Sequence, residues 1–313
     1  MPNRAVGTSN IDYVLATTLD NYNANISDAV YNGITTFRIL KKLGRVLPED
    51  GGDQLTENIL WAENTTVASM SPTGTISTVI QNELTQLAFT WRLYGGSVAI
   101  PNIYIRNNER DEYKIINLME AKMKILELQF QQVLNRHLFA ASPASTDIDP
   151  LTNIVNTNSL AGSSASFWQS TVTASGSFAG QGITDMRTNY LTVSQGEDTP
   201  HLLVADKTTY GYYENSQEAK QRYVDTNNLF DAGADALAFK KAAVIADANC
   251  QSGVIYLMNL NYLTVKYHPK ANITLSSKID VFDQDVTIIK AIWQGNVTTP
   301  NRRMHGKLTG VTA

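Results

Sequence analysis

Two long strand-like segments followed by a long helical segment occupy residues 54–138 and constrain the fold more than any other feature. The strand-like segments, 55–68 and 76–100, are joined across the turn-forming residues 71–74, which predicts a hairpin with arms of about twenty residues. At about 3.3 Å per residue, such arms reach roughly 65 Å. A compact globule of 313 residues has a diameter of about 50 Å. We therefore expect the hairpin to be covered from outside its own chain, most naturally by a second copy.

The returning arm of the hairpin has the clearest strand pattern in the chain. One set of alternate residues comprises Leu87, Phe89, Trp91 and Leu93, and the other comprises Ala88, Thr90, Arg92 and Tyr94. Such alternation predicts one covered face, yet an isolated two-stranded ribbon is marginal in water. Either the rest of the fold or a partner must cover the apolar stripe. Because buried aromatic residues dominate interface energies, we predict that a neighbouring copy is anchored by Trp61, Phe89, Trp91, Leu93 and Tyr94.

Residues 108–139 predict one uninterrupted helix, roughly 48 Å long at about 1.5 Å per residue. Its apolar residues recur at helical spacing and predict a core-facing stripe: Ile116, Met119, Met123, Leu126, Phe130, Val133 and Leu134. Charges of both signs alternate on the other faces. They are expected to form local ion pairs or to meet partners on neighbouring copies, and both alternatives remain open.

The segments on either side of this region have different characters. Residues 1–35 are rich in Asn, Thr, Ser and Asp and predict an arm that gains order by lying on a neighbour. Within residues 26–43 the apolar side chains have helical spacing. After Pro143, helical and strand patterns alternate and predict a mixed α/β domain inserted before the C-terminal strands. The predicted helices are 183–194 and 207–222, and the predicted strands are 201–206, 242–246, 254–259, 263–267 and 286–293.

The sequence contains few residue patterns that indicate catalysis or the binding of a cofactor or metal. It contains none of the spaced motifs that bind phosphates, dinucleotides or zinc, so we expect no enzyme activity, no cofactor and no metal. Each of the four histidines stands alone in sequence, which is more typical of core or interface positions than of metal ligands. Asp280, Asp283 and Asp285 lack the glycine and the glutamate of a calcium loop and fit a turn before a strand.

Net charge, the single cysteine and hydropathy further limit the functions that the chain could have. A net charge of −4 gives no global attraction to nucleic acid. The single cysteine, Cys250, lies near small apolar residues and predicts a buried, inert thiol rather than a nucleophile. No apolar run has the length of a signal peptide or a membrane span, so synthesis in the cytosol and no membrane partner are expected.

Several C-terminal segments together resemble a known family. They are residues 239–247 (FKKAAVIAD), 256–263 (YLMNLNYL), 265–269 (VKYHP), 285–297 (DVTIIKAIWQGNV) and 300–311 (PNRRMHGKLTGV), with the pair Phe167-Trp168. Their order, together with the arm, the hairpin and the long helix, resembles the major capsid proteins of tailed bacteriophages of the Hong Kong 97 type. No one segment is a strict signature, but the set spans nearly the whole chain.

The resemblance implies an α+β fold of the Hong Kong 97 type. Residues 1–35 would be its N-terminal arm, 54–101 its extended hairpin loop and 151–272 its inserted α/β axial domain. A peripheral domain containing the long spine helix would combine residues 36–53, 102–150 and 273–313. The implied function is a coat protein that assembles as hexamers and pentamers into an icosahedral shell around double-stranded DNA, in the virion after assembly in the host cytoplasm.

The resemblance also implies partners. These are other copies of the chain, a separate scaffolding protein, a portal, cement proteins and weak, non-specific contact with packaged DNA. The family's type member cross-links its shell through a lysine of the extended loop, whereas this chain has no lysine between Lys42 and Lys114. That cross-link is therefore excluded.

Arginines complete the predicted interface. Arg92, Arg302 and Arg303 are candidates for ion pairs between copies, because a guanidinium forms planar bidentate contacts with carboxylates. Local pairing within one chain is the alternative for all three. An encapsulin-like compartment, with an enzyme cargo instead of DNA, is the alternative for the whole protein.

Overall fold

The computed structural model describes residues 36–107, 112–218, 237–276, 279–280 and 283–313. The predicted N-terminal arm therefore lies outside the described residues. The helices, in chain order, are α1 (Thr36–Lys42), α2 (Asn102–Asn107), α3 (Glu112–Leu138), α4 (Leu151–Ile154), α5 (Ile183–Val193) and α6 (Lys207–Glu218).

Fourteen strands lie in the described ranges and form three sheets. They are β1 (Val46–Pro48), β2 (Gln54–Leu60), β3 (Leu84–Thr90), β4 (Arg92–Pro101), β5 (Thr171–Ala174), β6 (Leu202–Ala205), β7 (Leu237–Phe239), β8 (Ala242–Ala246), β9 (Ile255–Met258), β10 (Thr264–Tyr267), β11 (Thr274–Leu275), β12 (Ile279–Asp280), β13 (Val286–Thr298) and β14 (Gly306–Thr309). Single turns of 3-10 helix include Ser166–Trp168 and Arg302–Met304, and Phe178–Gly182 forms a π-helical turn.

The long predicted helix is confirmed as α3. Its 27 residues span about 40 Å. The predicted start at residue 108 lies outside the described residues, and α2 precedes it. Leu126, Phe130 and Leu134 are buried in the largest core cluster, together with Ala291 and Trp293 of β13. The helical spacing of the apolar residues therefore identified the buried face of α3 in its described part.

The first sheet is built around β13. Along one edge β13 pairs antiparallel with β4 over ten residues, from Val286 opposite Pro101 to Gly295 opposite Arg92. Along its other edge it pairs with β10, β11 and β12, and β1 adds to β10 in parallel. The thirteen residues of β13 thus tie the C-terminal region to α3, as the sequence predicted.

The second sheet has the strand order β5-β14-β9-β6-β8-β7. The prediction of a mixed α/β unit in this region is confirmed, with β8 at the predicted bounds and α5 one residue shorter than predicted. The predicted boundaries of the two domains differ from the structure at two strands. β10, assigned to the axial domain, pairs in the first sheet, and β14, assigned to the peripheral domain, lies inside the second sheet.

The hairpin is shorter than predicted. β2 and β3 pair over seven residues, about 23 Å, and residues 61–83 between them form no strand although the structure describes them all. β4 leaves the hairpin and joins β13. The reason lies at Trp91, which belongs to neither strand: Leu87 and Phe89 face inward before it, whereas the even-numbered residues of β4 face inward after it. The predicted hairpin of residues 54–101 is therefore corrected to 54–90.

Close contact between β4 and α3 leaves no free space for a side chain at one glycine. A Cβ at Gly96 would lie 2.9 Å from Leu126 Cδ1 and 2.9 Å from Phe130 Cε2, whereas a Cβ at Gly95 would have nothing within 4 Å. We expect Gly96→Val to lower the free energy of unfolding by about 2 kcal/mol, because it overpacks this contact. The measurement is the urea midpoint of the purified subunit. Gly95→Val is the matched control, and an equal loss in both variants would contradict the packing explanation.

Candidate interaction surfaces

Residues 60–84, here called the hairpin tip, expose an unusual amount of apolar surface. Ile80 is 96% exposed and Val67 83%. The other exposed large apolar residues of the tip are Leu60, Trp61, Met70, Ile76, Val79 and Leu84. Clustered apolar exposure on this scale usually marks a surface that contacts another protein.

The base of the hairpin, by contrast, is fixed to the body. Leu55, Leu87 and Phe89 are each 1% exposed and pack with the fully buried Trp168. The Ala88 amide donates to the Ala161 carbonyl at 3.2 Å. The base of the hairpin is therefore packed into the rest of the subunit, whereas the tip is exposed.

An ion pair cluster adds a second attachment at the base. Lys266 Nζ of β10 lies 2.8 Å from Glu57 Oε1 of β2 and 3.2 Å from Glu49 Oε2. Thr298 Oγ1 donates to the same Glu57 oxygen at 3.0 Å. Although burial lowers the pKa of Lys266, the hydrogen bonds and charges of the two carboxylates raise it above its ordinary value. The cluster couples β2 to the first sheet.

Among the predicted aromatic anchors, Trp61 is the most exposed, and its contact with a neighbouring copy stays a prediction. Its side chain is 43% exposed and stacks on Phe167 with ring centroids 5.4 Å apart. Trp91 is partly buried and its Nε1 donates to the Gly52 carbonyl at 2.9 Å. The prediction that Phe89 anchors a neighbouring copy is wrong, because Phe89 is buried inside its own chain at the hairpin base.

Tyr94 also makes its contacts within the chain. Its hydroxyl accepts from the Ile148 amide at 2.9 Å and lies 3.0 Å from Nδ1 of His137, and its ring packs edge-on against Trp293. Burial, more than the nearby Asp147 carboxylate, raises the pKa of Tyr94 to about 12. Tyr94 therefore joins β4 to the end of α3 within its own chain, and its contact with another copy stays a prediction.

Leu93 lies on a second exposed apolar surface. It is 65% exposed and shares the outer face of the first sheet with Ile292, 43% exposed, and Ile279, 40% exposed. We call this surface the outer sheet face. The face switch at Trp91 places Leu93 outward, opposite to the side that covers Leu87 and Phe89.

Two of the three predicted arginines have partners in their own chain. Arg92 Nη1 donates to the Ser145 carbonyl and Arg92 Nη2 lies 4.0 Å from Asp149 Oδ1. Burial raises the pKa of Asp149, against the opposing effects of Asn296 and Arg92. Arg303 is exposed, and its pairing with a neighbouring copy stays a prediction.

Arg302 differs most from its prediction. Its residue is 0% exposed, and its guanidinium donates to the carbonyls of residues 153, 154, 156 and 158 and to Asn158 Oδ1, at 2.7–2.9 Å. Its Cζ also lies 4.8 Å from the ring centroid of Trp168. Burial lowers the pKa of Arg302 to about 10, which leaves it charged at neutral pH. The prediction that Arg302 pairs with another copy is wrong, because its guanidinium is buried and donates its hydrogen bonds within its own chain.

One structural residue escaped the sequence reasoning. The Asp247 carboxylate is fully buried and accepts hydrogen bonds from Thr36 N and Oγ1 and from Asn135 Nδ2, at 2.7–3.2 Å. Asp247, which directly follows β8, therefore joins this strand to the start of α1 and to α3. The available signal was Asn135 itself, a polar residue inside the apolar face of α3.

The remaining predictions from the sequence concern the cysteine, metal sites and membrane-spanning helices. Cys250 is buried, as predicted, and burial raises the pKa of its thiol. Across the described ranges, no three His, Cys, Asp or Glu side chains are placed to hold a metal ion. No helix in the described part of the chain combines the length and the apolar character needed to cross a membrane.

Comparison with known proteins identifies the fold. No family model matches the sequence, and no curated protein matches it. Among solved structures, the capsid of cyanophage A-1(L) is 13% identical, with 95% of this chain and 97% of that chain covered and a TM-score of 0.66. The capsid of an empty GTA particle is 10% identical over 94% and 95% of the two chains, with a TM-score of 0.67.

An encapsulin shares the same architecture. The holo-SrpI encapsulin complex from Synechococcus elongatus PCC 7942 is 11% identical, with 95% of each chain covered and a TM-score of 0.61. At these identities the likeness establishes the fold alone. The chain has the α+β fold found in tailed-phage capsid proteins and in an encapsulin.

Proposed function

We propose that this chain is the coat subunit of an icosahedral shell that encloses double-stranded DNA, with hexamers and pentamers as its capsomers. The observation that carries the proposal is the hairpin tip, whose apolar side chains project from a rigidly attached base. Among the residues that the structure describes, none covers these side chains. Burial by a neighbouring copy satisfies them, and the capsid fold supplies a subunit shape that is suited to such repetition.

Three surfaces are proposed to take part in contacts between copies. Trp61 and the rest of the hairpin tip form one side of the contact, and Leu93 on the outer sheet face offers an apolar surface to receive it. Arg303 is a further candidate for pairing with a carboxylate of another copy. Since the hairpin contains no lysine, these contacts hold without an isopeptide bond.

The remaining assignments follow from this proposal. The arm at residues 1–35 would lie on a neighbour, and the second sheet would belong to the axial domain around the symmetry axes. A separate scaffolding protein, a portal and cement proteins would complete a virion assembled in the host cytoplasm. The neighbour described as a satellite phage procapsid includes a size determination protein, which supports accessory partners for shells of this fold.

An encapsulin-like compartment is the second candidate, favoured by the structural likeness to the encapsulin. Electron microscopy of the expressed full-length protein tests both candidates. We expect closed shells, tubes or rings of capsomers. A protein that stays a dispersed monomer in all assembly conditions contradicts both candidates, whereas shells filled with a cargo enzyme during expression in a native host favour the compartment.

A further inference from the structure

Two stretches of chain that connect the two large sheets meet at one buried histidine. Residues 259–263 lead from β9 of the second sheet to β10 of the first sheet. Residues 299–305 lead from β13 of the first sheet back to β14 of the second, and they end with His305. We call these two stretches the junction. A change at the junction alters how the sheets are held together without breaking the pairing within either sheet.

The ring of His305 bonds to both stretches. Its residue is 0% exposed, and Nδ1 accepts a hydrogen bond from the Asn259 amide at 3.3 Å. Nε2 lies 3.3 Å from Thr299 Oγ1 and 3.4 Å from the Tyr262 carbonyl oxygen. Because Nδ1 accepts, the neutral ring carries its proton on Nε2, which can donate to these oxygens. The bond to the Asn259 amide therefore exists only while the ring is neutral.

The charged groups around the ring disfavour a positive imidazolium. Arg302, whose carbonyl accepts from the His305 amide, is buried and charged at neutral pH. Lys307 of β14 is also buried, and burial and the Arg302 charge lower its pKa. Tyr262 presents its carbonyl to the ring, while its hydroxyl donates to Asp198 Oδ2 at 2.7 Å. In the described part of the chain, no carboxylate is hydrogen-bonded to the ring.

We propose that His305 is a pH-sensitive switch whose protonation opens the junction while the strands of both sheets stay paired. A proton on Nδ1 would face the hydrogen of the Asn259 amide, so two donors would oppose each other in place of a hydrogen bond. The new charge would also lie in a buried site close to Arg302. Such a switch acts within a single subunit and does not depend on shell assembly.

The direction of the pH dependence follows from the pKa of the buried ring. Burial, with a contribution from Arg302, lowers the pKa of His305 from 6.5 to about 4, against the opposing effect of the Tyr262 carbonyl. In an open junction the ring regains the ordinary histidine pKa of about 6.5. The closed junction is therefore most stable above about pH 6.5 and loses stability as the pH falls towards about 4. These two pKa values make opening about twentyfold more favourable at about pH 5 than at about pH 7.

Hydrogen exchange of dissociated full-length subunits, followed by mass spectrometry at about pH 7 and about pH 5, tests the proposal. Rates are corrected for the chemical exchange rate at each pH. We expect the amides of residues 259–263 and 299–305 to lose protection by about twentyfold at the lower pH, and the amides of β6 and β8 to keep theirs.

Two variants separate His305 from the other titrating groups. His305→Asn places an amide oxygen near the position of Nδ1, where it accepts from the Asn259 amide but takes up no proton. Its junction should lose less than about threefold of its protection at the lower pH. His268→Asn is the matched control, because His268 lies outside the junction and its Nδ1 likewise accepts from a backbone amide, that of Lys270. The control should lose protection as the wild-type chain does.

Three outcomes overturn the inference. They are a loss of less than about threefold at the wild-type junction, an equal loss in His305→Asn and the wild-type chain, and an equal loss in β6 and β8, which would indicate unfolding of the second sheet. If His305→Asn does not fold, nuclear magnetic resonance of the wild-type chain with isotope-labelled histidine decides. The His305 signal, assigned with variants of the other three histidines, should stay in its neutral form down to about pH 5. A titration midpoint near about 6.5 in the folded chain overturns the proposal.

Discussion

Deletion of residues 64–82 is expected to leave a folded subunit that no longer forms shells. The deletion removes Val67, Met70, Ile76, Val79 and Ile80, all exposed, and keeps both paired strands and the buried base. Burial of each such side chain in a contact contributes about 1.5–3 kcal/mol. Urea unfolding should match the wild-type chain, and electron microscopy should show no assembly.

A pair of point variants isolates the apolar contribution. Ile80→Asp and Thr78→Asp add the same charge to neighbouring exposed positions, but only the first removes apolar surface. A loss of about 3 kcal/mol for each contact raises the concentration needed for assembly by about a hundredfold for Ile80→Asp. Thr78→Asp should assemble near the wild-type concentration. Shell formation by the deletion variant would refute the role of the tip.

Replacement of Arg302 by Met is expected to lower the free energy of unfolding by about 4 kcal/mol. The substitution removes five donated hydrogen bonds and leaves buried carbonyls of residues 153–158 without donors. It also removes the cation stacked on Trp168, which supports the hairpin base. Urea unfolding monitored by circular dichroism measures the loss.

Two further variants show whether burial, charge or hydrogen-bond geometry accounts for the loss of stability. Arg303→Met changes the same residue type one position away on the exposed surface and should cost less than about 0.5 kcal/mol. Arg302→Lys keeps the charge but loses the planar fork, so we expect most of the destabilisation to persist. If Arg302→Lys behaves like the wild-type chain, charge alone rather than the hydrogen-bond geometry holds the loop.

Periodicity predicted α3 well because one face of this helix is buried, and the buried stripe followed from spacing alone. The bounds of β8 were also predicted, although both faces of this strand are covered: Ala242 and Val244 pack in one core cluster and Ile245 in the other. The hairpin arm was predicted too long for a related reason. Apolar and polar residues alternate without interruption from β3 into β4, and nothing in that pattern marks the switch of faces at Trp91.

The predicted interface was harder to locate from sequence. Arg302 is surrounded by carbonyls nearly 150 residues away in the chain, so its burial depends on a loop whose path no local pattern specifies. Phe89 and Trp61 look alike in sequence, yet Trp168 covers the first and leaves the second exposed. The sequence predicted that the hairpin needs cover from outside its own chain, and among the described residues the tip is the part of the hairpin that is left exposed.

The position of β14 sets the order of events during synthesis. This strand comprises residues 306–309 and pairs with β5, more than 130 residues earlier, on one side and with β9 on the other. Until residues 306–309 have been synthesised, β5 has no neighbouring strand to join, and contacts this distant in sequence form late. A chain that stops before β14 therefore lacks a finished second sheet. We expect such a chain to be kept out of any assembly that the native chain builds.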